Sequence, residues 1–379
     1  MKVYLDNNAT TQIDPRVLEA MRGAFEIHFG NPASISHGWG WAAEELVKIA
    51  REELSQSIGA TSKEVIFTSS ATESISMLFQ GIRHLTPKRV LCSTIEHKAV
   101  LDNGAALERY EGFELVTIPV DRLGRLKLNV LQSALKTPSA LVSIIAANNE
   151  IGTIQDLKEI SNICKKADVP LHLDLTQAFG KIAINFKELD CQFASISAHK
   201  IYGPKGVGAF ICGESSRSSI RPILLGGGHE LGLRSGTLNV PGIVGLGKAA
   251  KFVTEDFGVI RTAVTKLADK LLNGLRAKIP SLSLNGDPAN RIIGNLNLLV
   301  PGIKASRIMS KLASSVAISS TSACVSHLQG TSHVLKAIGL SKEDQECSIR
   351  IGVGRFNTEA EIEFALAEMV RVVSDELSD

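Results

Sequence analysis

The chain has 379 residues, enough to bury a large core and to fold as two domains. Its hydrophobic fraction of 44% and charged fraction of 21% are those of a soluble globular protein. With 41 basic against 39 acidic residues, no charge block, and no apolar run near the roughly 20 residues that span a bilayer, neither nucleic-acid nor membrane binding is indicated.

Apolar spacing predicts helices over 15–27 and 39–58. From about 60 to 215, short apolar runs alternate with helical periods. Strands are predicted at 64–68, 89–93, 114–118, 140–146, 170–174, 193–196 and 207–212. Helices are predicted at 73–85, 98–111, 128–136 and 155–167. Such alternation implies an α/β fold, a mostly parallel seven-stranded sheet with helices on both faces. Residues 220–247 are rich in glycine, and a long helix is expected over 251–278. The tail alternates again. It has strands at 292–299, 316–319 and 348–352, and helices at 305–314, 332–338 and 358–377, and reads as a smaller α/β domain.

The six cysteines, Cys92, Cys164, Cys191, Cys212, Cys324 and Cys347, are scattered, with no C-x-x-C pair. That pattern reads as reduced thiols rather than a disulfide framework or a structural metal site. The first residues, Met1 to Asp6, contain no signal-peptide core, so a cytoplasmic location is expected.

Chemistry concentrates just after the predicted strands. Lys200 follows the apolar run 193–196 and precedes Gly203, Gly206 and Gly208. A lysine after a strand is most often a solvated surface charge. On a rigid, dry turn, desolvation favours its neutral form, and a neutral amine condenses with the aldehyde of pyridoxal phosphate. That cofactor needs an acid at its ring nitrogen, donors for its phosphate and a group stacked on its ring. Asp174, ending the run 170–174, is the acid candidate, although an aspartate there also caps helices. Gln177 is placed to reach the cofactor's ring oxygen. Residues 68–73, with Ser70, Ala71 and Thr72, form a strand-to-helix turn whose N–H groups suit a phosphate, and a plain capping box would look similar. Ser197 and His199 offer further donors. His97, after the strand 89–93, is the stacking and proton-transfer candidate, though a loop histidine is more often surface. Ligands of such sheets sit outside the carboxyl ends of the strands, where Ser70, His97, Asn149, Asp174 and Lys200 all fall.

Motifs along the chain resemble one family. They are YLDNNATT near the start, FGNPAS at 29–34, EHKAVLD at 96–102, NNEIGTIQ at 148–155, SAHKIYGPKG at 197–206, GGGHELGLRSGTLNVPGIVG at 226–245, SSTSAC at 319–324 and SIRIGVGRF at 348–356. Together they resemble the cysteine desulfurases of the NifS/IscS type, in the class V aminotransferase group of pyridoxal-phosphate fold type I. The resemblance implies a large domain over 15–250, and a small one from 1–14 and 251–379. It implies that Cys324, in a loop of small polar residues, attacks the sulfur of L-cysteine, leaving L-alanine and a persulfide. Arg350 would grip the substrate carboxylate, and Asn149 would contact cofactor or substrate. Thr237 would reach a phosphate in a second copy, making a homodimer. Iron–sulfur scaffold proteins and tRNA-thiolation enzymes are the implied sulfur acceptors. Another class V aminotransferase or C–S lyase would share Lys200 and Asp174 without needing Cys324. Departures from the family pattern are Ser70 for glycine, Leu175 for a small residue, Thr321 for glycine and Leu231 for arginine, with Trp39 and Trp41 unusual beside Gly38.

Overall fold

The computed structural model describes residues 1–320 and 332–378. β1 (Val3–Tyr4) is followed by α1 (Pro15–Glu26) and α2 (Gly38–Ile58). Strands and helices then alternate through β2 (Val65–Thr68), α3 (Ala71–Gly81), β3 (Arg89–Ser93), α4 (Lys98–Glu111), β4 (Glu114–Ile118), α5 (Leu128–Ala134), β5 (Leu141–Ile145) and α6 (Leu157–Lys166). β6 (Leu171–Asp174), β7 (Phe193–Ser197) and β8 (Gly208–Cys212) complete the sheet, and α7 (Val240–Glu255) and α8 (Phe257–Lys278) follow. The remainder is β9 (Ser283–Leu284), β10 (Asn295–Leu299), α9 (Ala305–Leu312), β11 (Val316–Ala317), β12 (Ser319–Ser320), α10 (His333–Ala337), α11 (Lys342–Glu346), β13 (Ser348–Gly352) and α12 (Glu359–Ser378).

Among the described residues the main sheet has seven strands, in the order β2-β8-β7-β6-β5-β3-β4. The five strands from β7 to β4 run parallel. β8 is antiparallel to both β2 and β7. Every residue of β2, β5, β6, β7 and β8 is buried, because helices cover both faces. From β3 the chain steps outward to β4, then crosses back to β5 on the other side. The order therefore reverses between β3 and β5, which opens a crevice at their carboxyl ends.

The expected single helix over 251–278 is two helices. α7 begins earlier, at a cap in which Asn239 Oδ1 accepts from Gly242 N–H at 3.1 Å, with Pro241 in the first turn. The break is Asp256, whose ψ of 4° leaves the helix. Its carboxylate is drawn to Arg16 at 2.7 Å and Arg355 at 2.9 Å. The expected strand 316–319 is likewise two short strands in different sheets. β11 pairs with β1, and β12 pairs with β13.

A second sheet, β12-β13-β10-β9, is antiparallel. A hydrophobic core distinct from that of the main sheet joins Val3 and Leu5 to side chains from Ile260 to Val373. The N-terminal strand thus packs with the tail. Among the described residues, no helix is long and apolar enough to cross a membrane.

Candidate active site

At the carboxyl edge of the main sheet lies a cavity of about 170 Å³. Ser70, Ala71 and Thr72 line it from the start of α3, and His97 from the start of α4. Asn149 lines it from the turn after β5, and Asp174 and Gln177 from the end of β6 and its turn. Ser197, His199 and Lys200 come from the end of β7, and Arg350 enters from β13 of the second sheet. Thr237 lines a separate hollow with Phe25, Phe29 and Pro32. Cys324 and Thr321 fall outside the described residues.

Lys200 ends a 3-10 turn, Ala198–Lys200, directly after β7. Its Nζ donates to the carbonyls of Asn8 and Ala9, both at 2.7 Å. The N-terminal segment therefore crosses over the lysine turn. Thr11 N–H donates to His199 O at 2.9 Å, and Asp14 N–H to Tyr202 O at 2.9 Å. Gly203 closes the turn, where a Cβ would lie 2.9 Å from Ala198 Cβ. Asn8 was not singled out from the sequence, nor was Thr176. Asn8 sits within the quoted YLDNNATT motif, which was the available signal.

Asp174 is 3% exposed, and its Oδ1 accepts from Thr176 N–H at 3.0 Å. Below it, the His172 ring bridges Ser143 Oγ at 2.8 Å and Ser195 Oγ at 3.1 Å. Burial pushes the His172 pKa down to about 4, so a neutral ring lies beneath the carboxylate. His97 is also held neutral. Burial and then the nearby Lys200 lower its pKa, while Asp174 partly opposes. Its Nδ1 accepts from Ala99 N–H at 3.1 Å, which leaves the proton on Nε2. Burial, and then Lys200, push His199 down to about 4.

Ser70 caps α3, its Oγ accepting from Glu73 N–H at 3.2 Å. The serine that departs from the family pattern thus supplies a helix cap. Glu73 is held by Arg234 at 2.8 Å, and Ser69 N–H donates to its carboxylate at 2.6 Å. The first N–H groups of α3 are directed at the cavity end.

Arg350 is 1% exposed. It pairs with Asp6 at 3.0 Å and donates to Asn149 O at 3.4 Å, and its Nε has no partner. The salt bridge and the place at the cavity are both real. Ser319 is the cross-strand partner of Arg350, and Ser332 Oγ donates to Glu150 at 2.6 Å.

A sequence profile described as Aminotransferase class-V matches residues 3–364. The chain is 44% identical over 369 residues to the cysteine desulfurase IscS of Rickettsia prowazekii (strain Madrid E), covering 97% of this chain and 90% of that protein. The chain belongs to the class-V aminotransferase family, in its cysteine desulfurase group. A solved NifS-like protein superposes with a TM-score of 0.92 at 36% identity, covering 99% of this chain and all of that one. A structure described as SspA in complex with cysteine gives 0.82 at 31% identity, covering 94% of this chain and all of that one.

Members of this family depend on pyridoxal phosphate. The cavity fits that group on its own chemistry. Asn8 Nδ2 and Thr176 Oγ1 belong to cavity-lining residues, are buried, and have no hydrogen-bond partner. Orphaned polar atoms of this kind call for a polar ligand. A primary amine, a buried carboxylate, a neutral imidazole and a helix N-terminus all face the same space.

Proposed function

We propose that this chain is a cysteine desulfurase, converting L-cysteine to L-alanine and leaving the sulfur as a persulfide on Cys324. The observation that carries the reading is the convergence of Lys200, Asp174, His97, Gln177 and Arg350 on one cavity, drawn from two sheets. Pyridoxal phosphate, when bound, supplies an electron sink for charge developing at the substrate Cα.

The chain's own residues do the rest. Lys200 would hold the cofactor through its aldehyde, and its amine is the base placed to take the substrate Cα proton. Asp174 would keep a proton on the cofactor's ring nitrogen. The α3 N-terminus, with Thr72, Ser197 and His199, would hold the phosphate. His97 would lie against the bound group and keeps its Nε2 proton available. Arg350 grips the substrate carboxylate with donors that Asp6 and Asn149 leave unused. The Cys324 thiolate attacks the substrate sulfur. The Cβ–S bond breaks, a new S–S bond forms, and the thiol proton ends on the carbon skeleton as alanine. The persulfide then passes to an acceptor, an iron–sulfur scaffold or a tRNA-thiolation enzyme.

The division into 15–250 and 1–14 with 251–379 is part of this proposal, and the separate core over Val3–Val373 supports it. So is a homodimer. Its support is a run of exposed apolar side chains, Phe25, Ile27, Phe29, Ile35, Trp39 and Trp41, beside the hollow that holds Thr237.

Mass spectrometry after incubation with L-cysteine tests the function. The expected result is one added sulfur on Cys324, with alanine as product. Cys324→Ala should keep the visible band of the bound cofactor and form no persulfide. Lys200→Ala should lose that band. Parent-like turnover by Cys324→Ala refutes the nucleophile. A keto acid with pyridoxamine phosphate would instead make the chain an aminotransferase.

A further inference from the structure

Lys181 took no part in the reading of the sequence, yet it stands one contact behind the cavity. It follows a turn at Gly180, whose φ is 75°. Its Nζ lies 2.7 Å from Gln177 Oε1. Gln177 Nε2 in turn donates to Asn8 O at 2.8 Å, the carbonyl that also accepts from Lys200. The result is a continuous chain, Lys181 to Gln177 to Asn8 to Lys200.

The placement of Lys181 is costly. Among the described residues no carboxylate pairs with it. Lys200 and Arg350 are the charged groups that act on it, both repulsively. Lys181 and Tyr202 line a small hollow that encloses only about 10 Å³, scarcely room for one water. Burial first, then those two cations, bring the Lys181 pKa down to about 7. A lysine usually extends its head to water. This one is turned inward onto a single amide.

What it does there follows from the amide. A glutamine carboxamide has an accepting end and a donating end, and a free one can present either. As the ammonium, Lys181 offers donors only, so the end it touches is the oxygen. The Asn8 carbonyl, already facing Lys200, requires a donor from the other end. Both neighbours thus select the same orientation. Nε2 spends one N–H on Asn8 and has a second for the cavity that Gln177 lines.

We infer that Lys181 is a positioning residue that locks the Gln177 amide with its N–H side toward the ring oxygen of the cofactor. The inference rests on the pyridoxal-phosphate reading of the site. A donor at that oxygen stabilises its ionised form. Losing the donor raises the proton affinity of the ring oxygen and its linked lysine nitrogen.

The test is a pH titration of the visible band of the cofactor-loaded protein, which needs no turnover. In Lys181→Met the midpoint should rise by about one pH unit, a tenfold change in proton affinity. Lys181→Arg keeps the donor and should leave the midpoint at the parent value. The decisive comparison is the double variant. If Lys181 acts through Gln177, adding Lys181→Met to Gln177→Ala should produce no further shift. An equal shift in both backgrounds would mean that Lys181 acts by its charge alone, and overturns the inference. So does an unmoved midpoint in Lys181→Met. Lys181→Ala serves in the same comparison should the methionine variant fail to fold. A parent protein that stays colourless with pyridoxal phosphate defeats the cofactor reading instead, so the two failures are distinct.

Discussion

Glu150 shows how much a single side chain near the cavity can impose on the molecule. It is 7% exposed, next to Asn149, and accepts from Ser332 Oγ at 2.6 Å. Burial pushes its pKa up to about 7, only partly offset by Ser332 and Arg350. The unfolded chain sheds this proton near the ordinary value of 4.5, the folded chain near 7. Between those values the native state binds more protons, so stability falls as pH rises through this window and levels off above it. The ceiling on this effect is about 3 kcal/mol. Glu150→Gln should remove its share, so that chemical denaturation at about pH 5 and about pH 8 differs less than in the parent. Equal differences in the two proteins would remove Glu150 as a cause. Glu96, raised to about 8 by burial first, remains in both and supplies a residual slope. The residues that carry the proposed chemistry were legible in the sequence because each ends or follows a strand: His97, Asn149, Asp174 and Lys200. Asn8 and Lys181 were not. The first arrives from a segment 192 residues before the lysine it touches, and the second acts through another side chain. Asn8 was marked only by its place in YLDNNATT, and no local pattern marks Lys181.

At the scale of elements, α3 and β8 meet at a point that allows no side chain. Gly208 opens β8 against the start of α3. A Cβ there would lie 2.6 Å from Ile196 O and 2.8 Å from the Ser70 carbonyl carbon. Both neighbours are backbone, so the contact cannot be relieved by a rotamer change. Gly208→Ala should therefore push the N-terminus of α3 away from the cavity. The expected cost is about 1–3 kcal/mol of stability. Cofactor affinity, read by fluorescence titration of the apoprotein, should fall about tenfold, because the N–H groups that meet the phosphate move with the helix. A loss of stability with unchanged affinity would separate the start of α3 from phosphate binding. The strands of the main sheet were all readable, since five of them are buried along their whole length and stand out as apolar runs. The join at Asp256 was not. A helix-compatible sequence continues through it, and the break comes from ion pairs with Arg16 and Arg355, which are 240 and 99 residues away.

For the whole molecule, the unanswered surface is the apolar segment around α2. Phe29 is 68% exposed, Ile35 84% and Trp39 61%. These side chains are not loosely scattered. Trp41 Nε1 donates to Ile35 O at 2.8 Å, and the His37 and Trp39 rings meet edge to face at 6.3 Å. The backbone beneath is equally constrained, since a Cβ on Gly40 would lie 2.0 Å from Ser34 O. A segment so ordered by itself presents its aromatic groups at little entropic cost, as a binding surface does. The hollow beside it holds Thr237, the one cofactor-site expectation that the chain's own cavity leaves out. A second copy docked on this face would bring Thr237 toward the partner cavity and cover the exposed aromatics in one step. Light scattering on the eluting peak should therefore give a dimer for the parent. Phe29→Glu with Trp39→Glu puts two carboxylates into that contact and should weaken it by about a hundredfold. Because each cavity would then lose its Thr237, the dissociated variant should also release cofactor more readily on dialysis. A monomeric parent, or a variant that stays dimeric and fully loaded, would place the second copy elsewhere or nowhere.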